Sequence, residues 1–421
     1  MDRVIFLNSS GGIVTYPGQI RSGVYIPSYN IAPYIEPVAL PVVSVDPAAL
    51  YGDRPENLAT LTHSRGAALT FFVDSVAGGG DTSGNGSYEH PWRSLNTASA
   101  FLACAGCTLN AAAKYVQLKV KGTVDYLSGT WGGNIWAWLR PKLILTGWGG
   151  RCDLGGSAGF SAGYFFNVRV SAYHSLSGGV FSNCEVLRAG SSGVAIDCAL
   201  PDDYADVSVA YNCSGSGATS ARILYGGRYV DGASATYAYG ATVSRVVTST
   251  YINYNTALFV SSGAVSMTVS AVGSATAGHA NAEGIRVSSG AYLAGCDVTA
   301  SAWAYHEPDN GPVVASAVGI AGDAIVSGGR VAASAYASGV NSLGASAVAE
   351  AVGLGSGTTA TGVTVIIDAT AAAHITRPNG QETEVERTSD LGLSCVLSTV
   401  RHYSGGVVTS TYTASSGGLC Q

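Results

Sequence analysis

The run Phe71-Phe72-Val73-Asp74, then Gly78-Gly79-Gly80-Asp81-Thr82-Ser83-Gly84-Asn85-Gly86-Ser87, then His90-Pro91-Trp92-Arg93-Ser94-Leu95-Asn96-Thr97-Ala98 carries the strongest local signal in the chain. It reads as a short apolar strand, a glycine-rich turn and a proline-containing entry. A helix follows over Asn96 to Ala112, running through Ala100-Phe101-Leu102. Tyr115-Val116-Gln117-Leu118-Lys119-Val120-Lys121 then alternates apolar and polar residues with the period of a strand. Val116, Leu118 and Val120 are expected to point inward, and Gln117, Lys119 and Lys121 outward.

Outward from this stretch, composition selects the same class. Of 421 residues 56 are glycine, 47% are hydrophobic and only 11% charged, a balance that excludes a disordered chain. Leu, Glu, Lys and Arg at helical spacing are almost missing after residue 114, so the expectation is all-β. The net charge of −6 comes without a basic stripe, which argues against nucleic-acid binding. No polybasic segment suggests a membrane surface, and no apolar run approaches the roughly 20 residues of a membrane span.

The 71–98 stretch resembles the opening of pectate-lyase-like right-handed β-helix proteins. There a YVD, G-D, G-T, P-W-x-T-L-x-x-A run and a short helix cap the first coil. Val73-Asp74, Asp81, Gly84, Pro91-Trp92, Ser94-Leu95 and Ala98 carry the likeness, with Ser94 where the pattern has Thr. The resemblance covers about 50 residues, and the same opening is shared by lyases, hydrolases and phage tailspikes. It implies a single-stranded right-handed parallel β-helix, a solenoid with an extended N-terminal arm and a C-terminal cap.

Weak internal repeats agree with that expectation. Val260-Ser261-Ser262-Gly263-Ala264, Val287-Ser288-Ser289-Gly290-Ala291 and Val326-Ser327-Gly328-Gly329 align with one another. Each leads to a second valine, Val269, Val298 and Val331, at steps of 29 and 33 residues. Gly362-Val363-Thr364-Val365 continues the rhythm. Irregular steps of this size suit stacked coils with loops of different length.

Four segments are expected: an extended arm over 1–65, an entry region over 66–113, the parallel β-helix over 114–375 and a cap over 376–421. Seven of the thirteen prolines fall in the first 55 positions, so the arm reads as extended. Tyr16, Tyr25, Ile26, Tyr29, Tyr34 and Ile35 make it sticky, and they are the expected assembly residues. Arg377, Glu382, Glu384, Glu386, Arg387 and Asp390 concentrate charge where a solenoid end needs protection.

Chemistry-bearing residues are sparse. Trp303-Ala304-Tyr305-His306-Glu307-Pro308-Asp309 mixes aromatics and acids in a bland repeat, so Trp303, Tyr305, His306, Glu307 and Asp309 are the candidate carbohydrate-binding set. Asp202 and Asp203 are neighbours, and on a strand they would face opposite ways. Asp81, Ser83 and Asn85 imitate a calcium loop, but Trp92 stands where its closing Glu belongs. No cofactor or metal is expected, and no catalytic residue is assigned. The nine cysteines are an odd number without tight spacing and read as reduced, mostly buried thiols.

Three functions fit these features. The first is a virion structural or adhesion protein of the phage tailspike, fibre or decoration type. It would form a homo-oligomer, with a trimer as one arrangement, and contact other virion proteins and a surface glycan. Met1 to Asn8 is too short an apolar run for a secretory signal, so synthesis in a host cytoplasm is expected, with an extracellular or cell-surface location as the alternative. The second is a polysaccharide lyase or glycoside hydrolase on the same fold. The third is a bacterial surface filament subunit.

Overall fold

The computed structural model describes residues 3–7, 13–21, 24–27, 35–50, 57–76, 84, 86–95, 97–98, 115–126, 143–156, 163–170, 179–186, 193–201, 205–249, 252–253, 255–276, 278–306, 313–341, 347–355, 358–375, 381–390, 395–404 and 407–416. They fall into two compact units, Met1–Ser44 with Thr60–Ser208, and Val45–Ala59 with Val209–Gln421. Both are all-β, and parallel pairing dominates.

In the first unit the N-terminal residues do not form one extended arm. Arg3–Leu7, Ile13–Arg21 and Val24–Pro27 fold back on one another as an antiparallel meander, with Val4 opposite Tyr16 and Ile20 opposite Tyr25. The apolar β-branched and aromatic residues that made the segment sticky are good strand formers, and they pair locally. The next strand, Ile35–Val45, lies on the chain's own body. Leu40 is fully buried with Ala68 and Ile144, and Val38, Tyr115, Tyr164 and Phe166 close around them. Glu36 accepts from Lys119 Nζ at 2.7 Å and from Thr70 Oγ1 at 3.4 Å.

The entry strand runs Ala59–Asp74, starting before the boundary expected at residue 66. It pairs in parallel with Tyr115–Lys121, Leu69 with Val116, Phe71 with Leu118 and Val73 with Val120. Trp92 bridges to Val73, donates its N–H to Phe72 O at 3.0 Å and stacks on Phe71 at 5.2 Å between ring centroids. The turn glycines make room for it. A Cβ on Gly86 would sit 2.7 Å from the Trp92 ring, and one on Gly84 2.7 Å from Pro91 O. Ser94 caps the helical turn that follows, its Oγ accepting the Thr97 N–H at 3.2 Å. Beyond Ala98 the expected helix lies outside the described residues.

Val116, Leu118 and Val120 are fully buried as their alternation requires, and Lys121 is exposed. Gln117 departs from the pattern because it too is buried. Its Oε1 accepts from Thr70 Oγ1 at 3.2 Å and its Nε2 donates to Thr146 Oγ1 at 3.1 Å. These hydroxyls satisfy the amide there, so its burial leaves those groups paired.

From residue 143 onward short strands form two interleaved parallel ladders. Ile144 pairs with Tyr164, Tyr164 with Val180 and Val180 with Val194; in the other ladder Val170 pairs with Leu154 and with Val186. Asn167, Asn183 and Asp197 join the two strands of successive steps with φ of 56°, 53° and 51°. The left-handed region costs most residues about 1–2 kcal/mol, and Asn and Asp tolerate it best. Inside, Phe165 stacks on Phe181 at 4.8 Å.

The second unit opens in the same manner. Asn212, Gly226 and Gly240 take φ of 52°, 62° and 63° at steps of 14 residues. Beside them Tyr211 stacks on Tyr225 at 4.9 Å, and Tyr239 meets Tyr225 at a tilt at 5.5 Å. After residue 256 the steps lengthen and three parallel ladders run side by side. Val269, Val298, Val331 and Val365 are successive register partners, as their spacing suggested. Ile285, Ile320 and Leu354 form a second column and Val265, Leu293 and Val326 a third, all buried. One alignment needs correction: Val260 pairs with Val287, but Val326 pairs with Leu293. The Val-Ser-Gly likeness at 326–329 marks a different ladder.

Beyond residue 375 the pairing becomes antiparallel. Gln381–Asp390 meets Thr364–Ile375 at Thr370 and Ala371, and Cys395–Ser404 and Val407–Ser416 complete a meander.

Candidate functional site

The ladder that holds the Val269 column presents its alternate residues outward. In parallel strands register partners share a face, and residues two apart along a strand do so as well. Thr268, Asp297 and Arg330 therefore stand in one row, Ser270, Thr299 and Ala332 in the next, Val272, Ser301 and Ser334 in a third, and Ser274, Trp303 and Tyr336 in a fourth. Tyr305 lies beyond Trp303 on the same strand.

Trp303, Tyr305 and Tyr336 are 61%, 50% and 44% exposed, so three large rings stand in solvent on one sheet face. Small neighbours leave them proud of the surface. Hydroxyls surround them, and Ser301 Oγ meets Ser334 Oγ at 2.9 Å across the strands. Ser274 Oγ donates to Thr248 Oγ1 at 3.1 Å in the same direction.

Of the expected set, the structure brings Trp303 and Tyr305 together on the strand Asp297–His306. His306 ends the strand opposite Gly339. Glu307 and Asp309 lie outside the described residues, as do Asp202 and Asp203. Tyr336 was missed, although the step that aligns Val298 with Val331 also sets it beside Trp303. Among the expected assembly residues, Tyr16, Tyr25 and Ile26 belong to the N-terminal meander and Ile35 is 64% exposed. Tyr29 and Tyr34 lie outside the described residues.

On this face Arg330 holds Asp297 at 3.4 Å, and the next strand of the ladder sets Asp368 opposite Ser334. Two other carboxylates are likewise engaged. Glu283 accepts from Arg286 Nε at 2.8 Å and Thr256 Oγ1 at 2.7 Å, and Glu185 holds Arg151 and Arg169 at 2.7 and 3.1 Å.

Cys152, Cys184, Cys198, Cys213 and Cys296 are buried free thiols. Burial pushes Cys152 and Cys296 up to about 12, and it pushes Cys184 well above the usual thiol range. Cys184, Cys198 and Cys296 turn their sulfurs to the carbonyls of Phe165, Phe181 and Val265 at 3.3 to 3.4 Å. A thiol that stays protonated is no nucleophile, so these groups pack.

Comparison of the chain with protein-family models, with curated proteins and with solved structures finds no match.

Proposed function

We propose that this chain is a single-stranded right-handed parallel β-helix serving as a virion structural or adhesion protein of the phage tailspike, fibre or decoration type. Its Trp303–Tyr305–Tyr336 face holds a surface glycan. The interleaved parallel ladders support the fold reading, since one chain wound in coils pairs each strand with the equivalent strand of the next coil. Parallel crossovers are right-handed in about 98% of cases, which supports the hand.

The observation that carries the function is the exposed aromatic trio. Water-facing Trp and Tyr rings on a flat hydroxyl-lined surface suit the apolar face and the hydroxyl rim of a sugar ring. A glycosidase needs two carboxyl groups about 5 to 9 Å apart, one of them able to donate a proton. Asp297 is bound to Arg330 instead, so binding is favoured over cleavage on this face.

The test is retention of the protein on immobilised bacterial surface polysaccharides, with the liquid assayed for released oligosaccharide. Wild type is expected to be retained without product, and Trp303→Ala to bind about tenfold more weakly, roughly 1.4 kcal/mol. New reducing ends would put the enzyme reading first. Assembly is tested by light scattering of the full chain against one beginning at Ile35, which keeps Glu36 and Leu40 on the body. A shared mass for both would remove the N-terminal meander from oligomer formation.

A further inference from the structure

We infer that the ligand of this face is an uncharged, extended β-linked polysaccharide lying across the strands, one sugar to each strand. The inference rests on the binding role proposed above and adds the chemical class and direction of what is bound.

Charge comes first. On the strands that carry Thr268–Ala275, Asp297–Tyr305 and Arg330–Ser338, the charged side chains are Asp297 and Arg330, and they satisfy each other at 3.4 Å. An acidic polymer would need unpaired cations at regular intervals, and taking Arg330 for that purpose would strand Asp297. The outward groups of these three strands are otherwise hydroxyls, methyls and rings, which offer hydrogen bonds of both senses, and the adjoining strand sets Asp368 opposite Ser334, a carboxylate that would repel an acidic polymer.

Spacing fixes the direction. Trp303 and Tyr336 are register partners, so their backbones stand one strand separation apart, about 4.8 Å. That is close to the rise of one sugar in an extended β-1,4-linked chain. Trp303 and Tyr305 are instead two residues apart along one strand, about 6.6 Å, which does not match it. A chain running across the strands therefore meets the Trp303 and Tyr336 rings with successive sugars. The Ser274–Thr248 hydroxyl pair continues the row of the two rings, and the Ser301–Ser334 pair lies in the row alongside it.

The experiment is a depletion assay with the full-length protein on microcrystalline cellulose, chitin and immobilised polygalacturonate, followed by calorimetry with the soluble oligomers. The neutral polymers are expected to retain the protein equally at low and high salt, and polygalacturonate to leave it in solution. Two linked sugars are expected to bind at least tenfold more tightly than one. Trp303→Ala and Tyr336→Ala should each abolish that step, while Trp303→Phe, which keeps a ring, restores most of it. Circular dichroism shows that each variant is folded.

Retention on polygalacturonate alone, lost in Trp303→Ala, would overturn the neutral class and leave the binding role standing. Equal affinity for one and two sugars would overturn the direction. Retention by none of these polymers would overturn the inference, and retention on the bacterial polysaccharides above would then leave the binding role standing; retention untouched by Trp303→Ala would sink both.

Discussion

A β-carbon on Gly319 would stand 2.3 Å from Val331 Cγ1 and 2.6 Å from the carbonyl oxygen of Gly353. Gly284 is placed alike, 2.4 Å from Val298 Cγ1 and 2.6 Å from Gly319 O. The valine of one ladder thus fills the space that glycine leaves in the next, and backbone cannot yield as a flexible side chain would. Gly319→Ala is expected to cost about 1–3 kcal/mol, read as a lower urea midpoint at unchanged slope. The thiols make a second test at this scale. Cys152 and Cys296 hold their protons up to about pH 12 in the folded protein, against 9.0 for a free thiol. Their folded pKa is raised, so their contribution to stability is complete below pH 9 and is lost as pH climbs toward 12. Alkylation at mildly alkaline pH should label neither residue in the native protein and both in urea, counted by mass spectrometry.

A single left-handed residue sets the two-strand steps marked by Asn167, Asn183 and Asp197. At Asn183, φ 53°, Asn→Gly is expected to be neutral or slightly stabilising, whereas Asn→Val should cost about 1–2 kcal/mol in thermal or urea denaturation. That small part explains what could be read in the sequence. The Val269, Val298 and Val331 column was legible because one residue type recurs at one ladder position. The shorter steps marked by Asn167, Asn183 and Asp197 were not, although they lie only 16 and 14 residues apart. Their strands are two or three residues long, too brief for alternation to show. The turn position accepts Asn, Asp or Gly, which hides the repeat from identity matching. Gln117 shares the outward face with Lys119 yet is buried there, because Thr70 and Thr146 on the flanking strands take its amide and Glu36 reaches both Thr70 and Lys119, information that periodicity does not hold. At the site, Trp303 was visible as an aromatic in a plain repeat, but Tyr336 drew notice only once the register set the two side by side.

On the scale of whole units, the N-terminal region divides its labour. Arg3–Leu7, Ile13–Arg21 and Val24–Pro27 pair among themselves, while Ile35–Val45 closes over the apolar patch of Ala68, Ile144 and Tyr115 in the first unit. Leu40 is the centre of that closure, 1% exposed. Leu40→Ala should destabilise the first unit by about 2–4 kcal/mol and open the 35–45 strand to protease, followed by the rate at which the N-terminal fragment appears. Glu36→Gln, which loosens the tie to Lys119, should have a smaller effect because both groups are about a quarter exposed.

The register columns of the second unit also decide how it answers to force. Hydrogen bonds between partners such as Val298 and Val331 lie across the strands, so tension along the strands loads a whole row of them in shear. Tension at right angles, along the direction in which register partners follow one another, loads a single row and peels it bond by bond. The same molecule is then stiff in one direction and ductile in the other. A tether that pulls through Trp303 and Tyr336 along their strands would meet the stiff direction, and one that lifts the last strand of a ladder away would meet the weak one.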